Sequence, residues 1–329
     1  MTTLLEVTHT TRYRYAVPVS PALHLAHLQP LADAHQALLD FDLGVDPAPD
    51  ELSTETDVWG NVRSLFAVVA AHRELVVRAT SRVALQPRFA GLQPATGPAW
   101  EAVAQRLQYV ARSPWEPAVE FVQPSPFVPR LEVLRSYARA SFPAGRPVAE
   151  GALDLMHRIH ADFRYDGRAT QIDTPLAQAF AQRSGVCQDF AHVLAGCLRM
   201  LGLPARYVSG YLLTTPAGGE PAFVGADASH AWVQAWVPGT AGVPHDGWLD
   251  LDPTNDLVPD LGHVRVAVGR DFGDVTPLRG VIRGGGRHTL TVGVHTRTLD
   301  QDTGVGPGIA QDTDKNDAGT GPEGQEMLR

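Results

Sequence analysis

The chain has 329 residues, of which 44% are hydrophobic, and a formal net charge of −9 at pH 7. This length suggests two domains with a sizeable core, whereas the negative charge argues against nucleic-acid binding, which needs a basic surface. No run approaches the roughly 18 apolar residues of a membrane span, so we expect neither nucleic acid nor a membrane as a partner.

The first residues and the two cysteines both predict a cytoplasmic protein. The chain begins with neither a basic stretch nor a long apolar one, so we expect no signal peptide. Cys187 and Cys197 are ten residues apart on one predicted helix, which separates them by about 15 Å along its axis. That distance is too long for a disulfide, and both residues should be free thiols in a reducing compartment.

The N-terminal quarter of the chain has the period-2 pattern of half-buried strands. In residues 4–15, Leu, Val and Tyr side chains share one set of alternate positions, and Glu and Arg share the other. We expect Pro18 and Pro21 to end this strand. Similar runs follow at residues 38–45, 65–70 and 74–85. Residues 1–86 are therefore predicted to form an antiparallel β-sandwich domain.

The remainder divides into a connector, a second domain and a tail. Residues 87–129 are rich in proline and predict a connector. From residue 130 the hydrophobic period changes to 3.6, which indicates helices, and further strands follow up to residue 298. We therefore predict one domain over residues 130–298. Residues 299–329 are acidic and rich in Gly, Asp and Thr without periodicity, which predicts a disordered tail.

Two pairs of histidines have the i, i+3 spacing of ligands on a helix. They are His24 with His27 and His157 with His160. No third ligand stands near either pair, so we interpret these residues as packing or surface histidines rather than metal ligands. The sequence also lacks the Asp-rich loop of a calcium site. We predict neither a metal nor a cofactor.

Cys187 stands where the sequence favours a nucleophile. It follows Gly185 by two residues and begins a predicted helix whose apolar stripe includes Cys197. The first turn of a helix combines unpaired backbone N–H groups with the positive end of the macrodipole, and this environment favours a thiolate. Cys197 should instead pack as a small hydrophobic residue.

Two later strands bring a histidine and an aspartate to one edge. The predicted strands at residues 229–237 and 248–252 form an antiparallel pair, so the start of one lies beside the end of the other. His230 and Asp252 then meet, although Asp250 shares a strand face with Asp252 and is a rival for its role. The spacing alone also fits a surface histidine and an Asp-Pro turn.

Four local motifs provide a more specific signal. In chain order they are Gly185-Val-Cys187-Gln-Asp-Phe-Ala-His192, Leu203-Pro-Ala-Arg206-Tyr-Val-Ser-Gly-Tyr211, Ser229-His230-Ala-Trp232 and Trp248-Leu-Asp-Leu-Asp252-Pro-Thr254. Together they closely resemble the bacterial transglutaminase-like family over about residues 130–256. Residues 1–85 look like the β-rich region that often precedes that core. The resemblance implies an α+β fold with a papain-like core, in which a helix bearing the cysteine packs on an antiparallel sheet.

The resemblance also implies a role for each candidate residue. Cys187 would be the nucleophile, His230 the general base and Asp252 the acid that orients the base, so the motif match favours Asp252 of the two aspartates. Asp189 and His192 belong to the cysteine motif but lie on other faces of the helix. We expect these two residues to support the fold.

The chemistry implied is thiol-dependent acyl transfer on a peptide or protein amide through a thioester. An amine acceptor gives transglutaminase activity, whereas water gives protease or deamidase activity, and no motif chooses between them. A catalytically silent peptide-binding protein or scaffold of the same fold is the alternative, and a metallohydrolase is a third option. Trp232 and Trp248 fit a cleft wall and the core equally well.

Overall fold

An antiparallel sheet of seven strands dominates the N-terminal part of the computed structural model, in which residues 2–112, 114–214, 223–226 and 228–299 are described. Its first five strands are β1 (Thr3–Ala26), β2 (Gln36–Asp46), β3 (Glu51–Thr56), β4 (Val62–Val68) and β5 (His72–Leu85). They lie in the order β2-β5-β1-β4-β3. The antiparallel β-rich fold predicted for the N-terminal region is confirmed, and its strands form one continuous sheet.

Strand β1 is longer than the sequence predicts. Leu5 and Val7 are buried, as the alternation indicates, but the strand does not end at Pro18 or Pro21 and continues to Ala26. The pairing with β5 shifts register between Arg14 and Val19, and the pairing with residues 278–284 shifts between Val19 and Ala22, so both prolines lie at irregularities where regular ladder hydrogen bonds are interrupted. The first half of β1 pairs with β5 and the second half with β4, which makes β1 common to both halves of the sheet.

Short helices lead from this sheet towards the core. They comprise the 3₁₀ turns Pro94–Thr96 and Pro117–Val122 and the helices α1 (Trp100–Arg106), α2 (Glu132–Arg139), α3 (Val148–Asp162) and α4 (Leu176–Gln182). A two-residue strand before α4, β6 (Arg164–Tyr165), pairs in parallel with another, β7 (Ser184–Gly185), which immediately precedes α5 (Cys187–Met200). Within the described ranges, no helix combines the length and the apolar character that crossing a membrane requires.

The core consists of α5 packed on an antiparallel four-stranded sheet. Its strands are β8 (Ala205–Leu212), β9 (His230–Trp236), β10 (Trp248–Leu251) and β11 (His263–Gly269), in the order β10-β9-β8-β11. Helix α5 contacts β8 and β9. Gly210 on β8 is essential to the packing, because a Cβ there would collide with the Trp232 ring and with the Val264 carbonyl oxygen. The predicted α+β fold is confirmed.

The last two strands, β12 (Leu278–Gly284) and β13 (His288–Thr298), belong to the N-terminal sheet. Both pair antiparallel with β1, β13 along its first half and β12 along its second. This corrects the predicted division, which placed all of residues 130–298 in the core domain. The physical reason is that β4 and β5 each leave one edge of β1 open, and its backbone groups there need partners. From residue 300 onward, the acidic tail predicted for residues 299–329 lies outside the described residues.

Two amide side chains join the N-terminal sheet to the outer edge of β11. Asn61 Nδ2 donates to the Val268 carbonyl, and Asn61 Oδ1 accepts from the Val268 N–H, both at 2.7 Å. Gln36 does the same with Arg265, donating at 2.7 Å and accepting at 2.9 Å. Each amide pairs with β11 as a neighbouring strand would, so the edge of the core sheet is satisfied by side chains of the other sheet.

Candidate active site

Cys187 is the first residue of α5, and a carboxylate fixes the start of that helix. Asp189 Oδ2 accepts a hydrogen bond from the Val186 N–H at 2.9 Å and another from the Thr170 hydroxyl at 2.6 Å. Gly185 makes room for this carboxylate, because a Cβ at that position would lie 2.3 Å from Asp189 Oδ2. The Cys187 side chain is partly exposed, at the end of the helix where backbone N–H groups have no intrahelical acceptor.

His230 and Asp252 meet at one end of the β9–β10 pair. The ladder pairs Asp250 with Gln234, so Asp252 is a diagonal neighbour of His230 across the two strands. His230 Nε2 lies 2.8 Å from Asp252 Oδ2, and both side chains are completely buried. The other ring nitrogen of His230, Nδ1, has no hydrogen-bond partner among the described residues. It is therefore the nitrogen available to the thiol of Cys187.

The charges around His230 favour its protonated form. Burial alone would lower the pKa of His230, but the Asp252 carboxylate and the Cys187 sulfur outweigh burial and raise this pKa to about 10. Burial would likewise raise the pKa of Asp252, whereas the His230 imidazole holds it well below its ordinary range. The pair is thus an imidazolium and a carboxylate at neutral pH, and a neighbouring imidazolium stabilises a thiolate.

Asp250, the rival for the orienting role, has other partners. Its Oδ1 accepts from Trp232 Nε1 at 2.9 Å, and its Oδ2 lies 3.6 Å from Arg88 Nε. Trp232 is fully buried and stacks on the His230 ring, with 6.1 Å between the ring centroids. The structure therefore places Asp252, and not Asp250, against His230. It also places Trp232 in the core.

Four further hydrogen bonds reach Asp252. The N–H groups of Thr254 and Asn255 donate to Oδ1 at 2.9 and 3.2 Å, and Asn255 Nδ2 donates to Oδ2 at 2.9 Å. His263, the first residue of β11, brings its Nε2 to 3.1 Å from the same Oδ2. No sequence motif singles out His263. Its strand, β11, lies at the opposite edge of the core sheet from β10, so its proximity to Asp252 arises only in the folded sheet. Gly210, on the strand between His230 and β11, has no side chain to separate these groups.

Two histidines of α3 hold the segment that follows Asp252. His160 Nδ1 lies 3.1 Å from the carbonyl oxygen of Thr254, and His157 Nδ1 lies 2.5 Å from Asp256 Oδ1. These contacts fix the turn whose N–H groups bind the Asp252 carboxylate. The two residues are therefore neither isolated surface groups nor a metal pair, and they help to shape the site.

The other residues marked by the sequence have packing roles. His192 is buried, its Nε2 accepts from the Phe272 N–H at 3.2 Å, and burial lowers its pKa to about 3. Cys197 is buried, and burial raises the pKa of its thiol. His24 and His27 are buried in the N-terminal region. Both cysteines are free thiols, and only one of them, Cys187, has access to solvent.

Within the described ranges, one cluster of side chains has the composition of a metal site. His230, Asp252 and His263 bring one ligand atom each to within 4.8 Å of one another. However, Asp252 Oδ2 already lies at hydrogen-bond distance from both imidazoles. A cation would have to displace the protons of these bonds. The arrangement therefore suits a hydrogen-bonded carboxylate better than a metal centre.

A core helix that begins with a cysteine and packs on an antiparallel sheet carrying a histidine and an aspartate is the arrangement of a papain-like fold. Residues 5–84 match the bacterial transglutaminase-like N-terminal region, and residues 135–253 match the transglutaminase-like superfamily. The chain is 40% identical to an uncharacterized protein of Mycobacterium tuberculosis, over 84% of this chain and 87% of that protein. An uncharacterized protein of Mycobacterium leprae is 30% identical over 90% of this chain and 99% of its own length. The chain belongs to the transglutaminase-like superfamily.

Two further similarities differ in extent. A candidate cysteine protease from Cytophaga hutchinsonii has a similar structure, with a TM-score of 0.67 at 22% identity, over 92% of this chain and 93% of that one. A protein-glutamine gamma-glutamyltransferase of Pseudomonas aeruginosa is 32% identical, but over only 35% of this chain and 19% of that protein. The first similarity shows that the two proteins share a fold along nearly their whole length.

Proposed function

We propose that this protein is a cysteine-dependent enzyme that transfers acyl groups from peptide or protein amides through a thioester. The observation that carries the proposal is the buried 2.8 Å contact between His230 Nε2 and Asp252 Oδ2, near the helix that begins with Cys187. Burying a charged pair costs free energy of desolvation. A protein that only binds peptides has no need of such a pair next to a thiol.

The proposed reaction has two halves. In the first, the Cys187 thiolate attacks the amide carbonyl carbon and forms a C–S bond, while the C–N bond breaks and His230 gives its proton to the departing nitrogen. In the second, the acceptor gives a proton to His230 as its nitrogen or oxygen attacks the thioester carbon. The C–S bond then breaks and returns the thiolate. Asp252 remains ionised and holds the imidazole throughout.

The tetrahedral intermediates of both halves carry a negatively charged oxygen that needs hydrogen-bond donors. Cys187 occupies the first position of α5, where a backbone N–H has no intrahelical acceptor. We assign this N–H as one donor to the oxyanion. The positive end of the helix dipole adds to the stabilisation of the same charge.

The acceptor decides the named activity. A primary amine makes the enzyme a transglutaminase, whereas water makes it a protease or a deamidase. Part of the chain is similar to a protein-glutamine gamma-glutamyltransferase, and this similarity makes the glutamine carboxamide the first acyl donor to test. The expected partner is a peptide or protein substrate.

The test is mass spectrometry after exposure of the protein to glutamine-containing peptides, with and without a primary amine. We expect an adduct on Cys187 whose mass equals that of the peptide minus the departing amine or ammonia. The mass of the released product then separates transfer to the amine from hydrolysis. Cys197→Ala should react like the wild type, and Cys187→Ala should form neither adduct nor product. Products that persist in Cys187→Ala would exclude the thioester route, and the absence of adduct and product would favour a catalytically silent binding protein.

We also propose a reducing, cytoplasmic location. Both cysteines are free thiols, and oxidation of Cys187 would remove the nucleophile. Cell fractionation tests this proposal, and recovery of the protein mainly outside the cytoplasm would contradict it.

A further inference from the structure

His263 provides a second imidazole to the carboxylate that faces His230. Its Nε2 lies 3.1 Å from Asp252 Oδ2, the same oxygen that lies 2.8 Å from His230 Nε2. All three side chains are buried. A site made of a nucleophile, a base and an acid uses only one imidazole, that of His230. The second imidazole, that of His263, must therefore have a different role.

The surroundings of His263 make it a neutral hydrogen-bond donor. Burial lowers the pKa of His263, although the nearby Asp252 and Asp250 carboxylates oppose this effect and the charge of His230 adds to it. A carboxylate can only accept hydrogen bonds, so the neutral ring must carry its proton on Nε2. His263 therefore donates to Asp252 without adding a charge to the site.

Packing leaves His263 little freedom to move. Its ring makes T-shaped contacts with Trp232, with 5.4 Å between centroids, and with Phe223, with 5.1 Å. Two residues further along β11, Arg265 is paired with the amide of Gln36 from the N-terminal sheet. The orientation of His263 is thus set by both sheets, and not only by the core that contains Cys187.

We propose that His263 is a positioning residue, which holds the Asp252 carboxylate so that its Oδ2 remains against the imidazole of His230. This inference rests on the proposed function, because it matters only if His230 and Asp252 serve Cys187. It also gives the N-terminal sheet a role in the reaction, since that sheet holds the strand from which His263 extends.

The test is the rate at which iodoacetamide alkylates Cys187 in the full-length protein, measured by peptide mass spectrometry at pH 6 and pH 10. A free thiol is mostly protonated at pH 6 and mostly ionised at pH 10, so the rate at pH 6 is the one that is sensitive to a neighbouring imidazolium. We expect His263→Leu to lower the rate at pH 6 by roughly ten- to a hundredfold. The rate at pH 10 should stay within about twofold of the wild type, because exposure of the thiol is unchanged. His263→Gln retains an amide donor near the position of Nε2 and should restore most of the rate at pH 6.

Control variants distinguish this role from a general effect on folding. His24→Leu removes a buried histidine that stacks on Phe66 in the N-terminal sheet, and it should match the wild type at both pH values. Alkylation of the buried Cys197 reports unfolding. If His263→Leu exposes Cys197, the alkylation rate of Cys187 in His263→Gln at pH 6 decides. A rate near that of the wild type supports the donor role, and a rate as low as that of Asp252→Asn refutes it.

The outcomes separate the two proposals. If His263→Leu is alkylated at the wild-type rate at pH 6 while Asp252→Asn is slowed, the role of His263 is refuted and the proposed function stands. If Asp252→Asn and His230→Gln are also alkylated at the wild-type rate, the proposed function itself fails.

Discussion

Replacement of Asn61 by leucine measures how strongly the N-terminal sheet is bound to the core. The Asn61 side chain is completely buried. It exchanges two hydrogen bonds with the backbone of Val268 on β11 and donates a third to Asp57 Oδ2 at 2.8 Å. Leucine has a similar volume but neither donor nor acceptor. The variant therefore leaves both the N–H and the C=O of Val268 buried without partners.

The expected cost follows from these two groups. A buried polar group that loses its partner costs about 1–3 kcal/mol, and burial of the leucine side chain returns roughly 1.5–3 kcal/mol at most. We expect the free energy of unfolding to fall by about 2–3 kcal/mol, which is a large part of the stability of an ordinary domain. Gln105→Leu on the exposed side of α1 is the control, with an expected change within about 0.5 kcal/mol.

The measurement is equilibrium unfolding in urea, followed by circular dichroism and by tryptophan fluorescence. Both signals should shift to lower urea in Asn61→Leu, because loss of these bonds weakens the junction between the sheets. An unfolding free energy within about 0.5 kcal/mol of the wild type would refute the reasoning. Apolar packing, and not the amide, would then hold the N-terminal sheet on β11.

Three further predictions follow from the site and its surroundings. Asp252→Asn should lower the rate of acyl transfer by about a thousandfold or more, whereas Asp250→Asn should lower it less than about tenfold; equal losses in steady-state assays would contradict the geometry. Burial lowers the pKa of His9 to about 4, below the 6.5 of an unfolded chain. Between these two pH values the unfolded chain binds a proton that the folded protein does not, so the free energy of unfolding falls as the pH drops from 6.5 to 4. His9→Leu should therefore reduce the acid loss of unfolding free energy by about 3 kcal/mol between pH 7 and pH 4, and an unchanged pH dependence in denaturant titrations would count against it. Gly185→Ala should displace the carboxylate of Asp189, which a Cβ would approach to 2.3 Å, and lower the unfolding free energy by about 1–3 kcal/mol; a melting temperature equal to that of the wild type would show that the helix start tolerates the methyl group.

Local patterns were sufficient for the elements that carry the candidate site. The period-2 alternation predicts the buried face of β1, and the 3.6 period predicts the helix that begins at Cys187, because these patterns depend on neighbours within one or two turns of the chain. The antiparallel pairing of β9 and β10 predicts the meeting of His230 and Asp252 over a longer separation of 22 residues. Residues 237–247 connect these two consecutive strands, so their pairing involves one continuous segment of the chain.

Other features depend on parts of the chain that are far apart. The pairing of β12 and β13 with β1 joins residues 278–298 to the N-terminal sheet, and no local pattern states which open edge a strand will find. In the sequence, Asn61 and Gln36 have nothing that distinguishes them from other polar residues. In the structure, their side-chain amides hydrogen-bond to the backbone of β11 as a neighbouring strand would. His263 reads as one residue of a strand, and its contact with Asp252 arises only once the core sheet has formed.

The sequence by itself determined the helix start at Cys187, the strands that bring His230 to Asp252, and the superfamily to which these motifs belong. The tertiary structure alone decided that Asp250 pairs with Trp232, that a second imidazole lies against the Asp252 carboxylate, and that the last strands return to the first sheet. The physical reason is that periodicity and capping record interactions between near neighbours, whereas the partner of a buried polar group is set by where the whole chain leaves unpaired donors and acceptors.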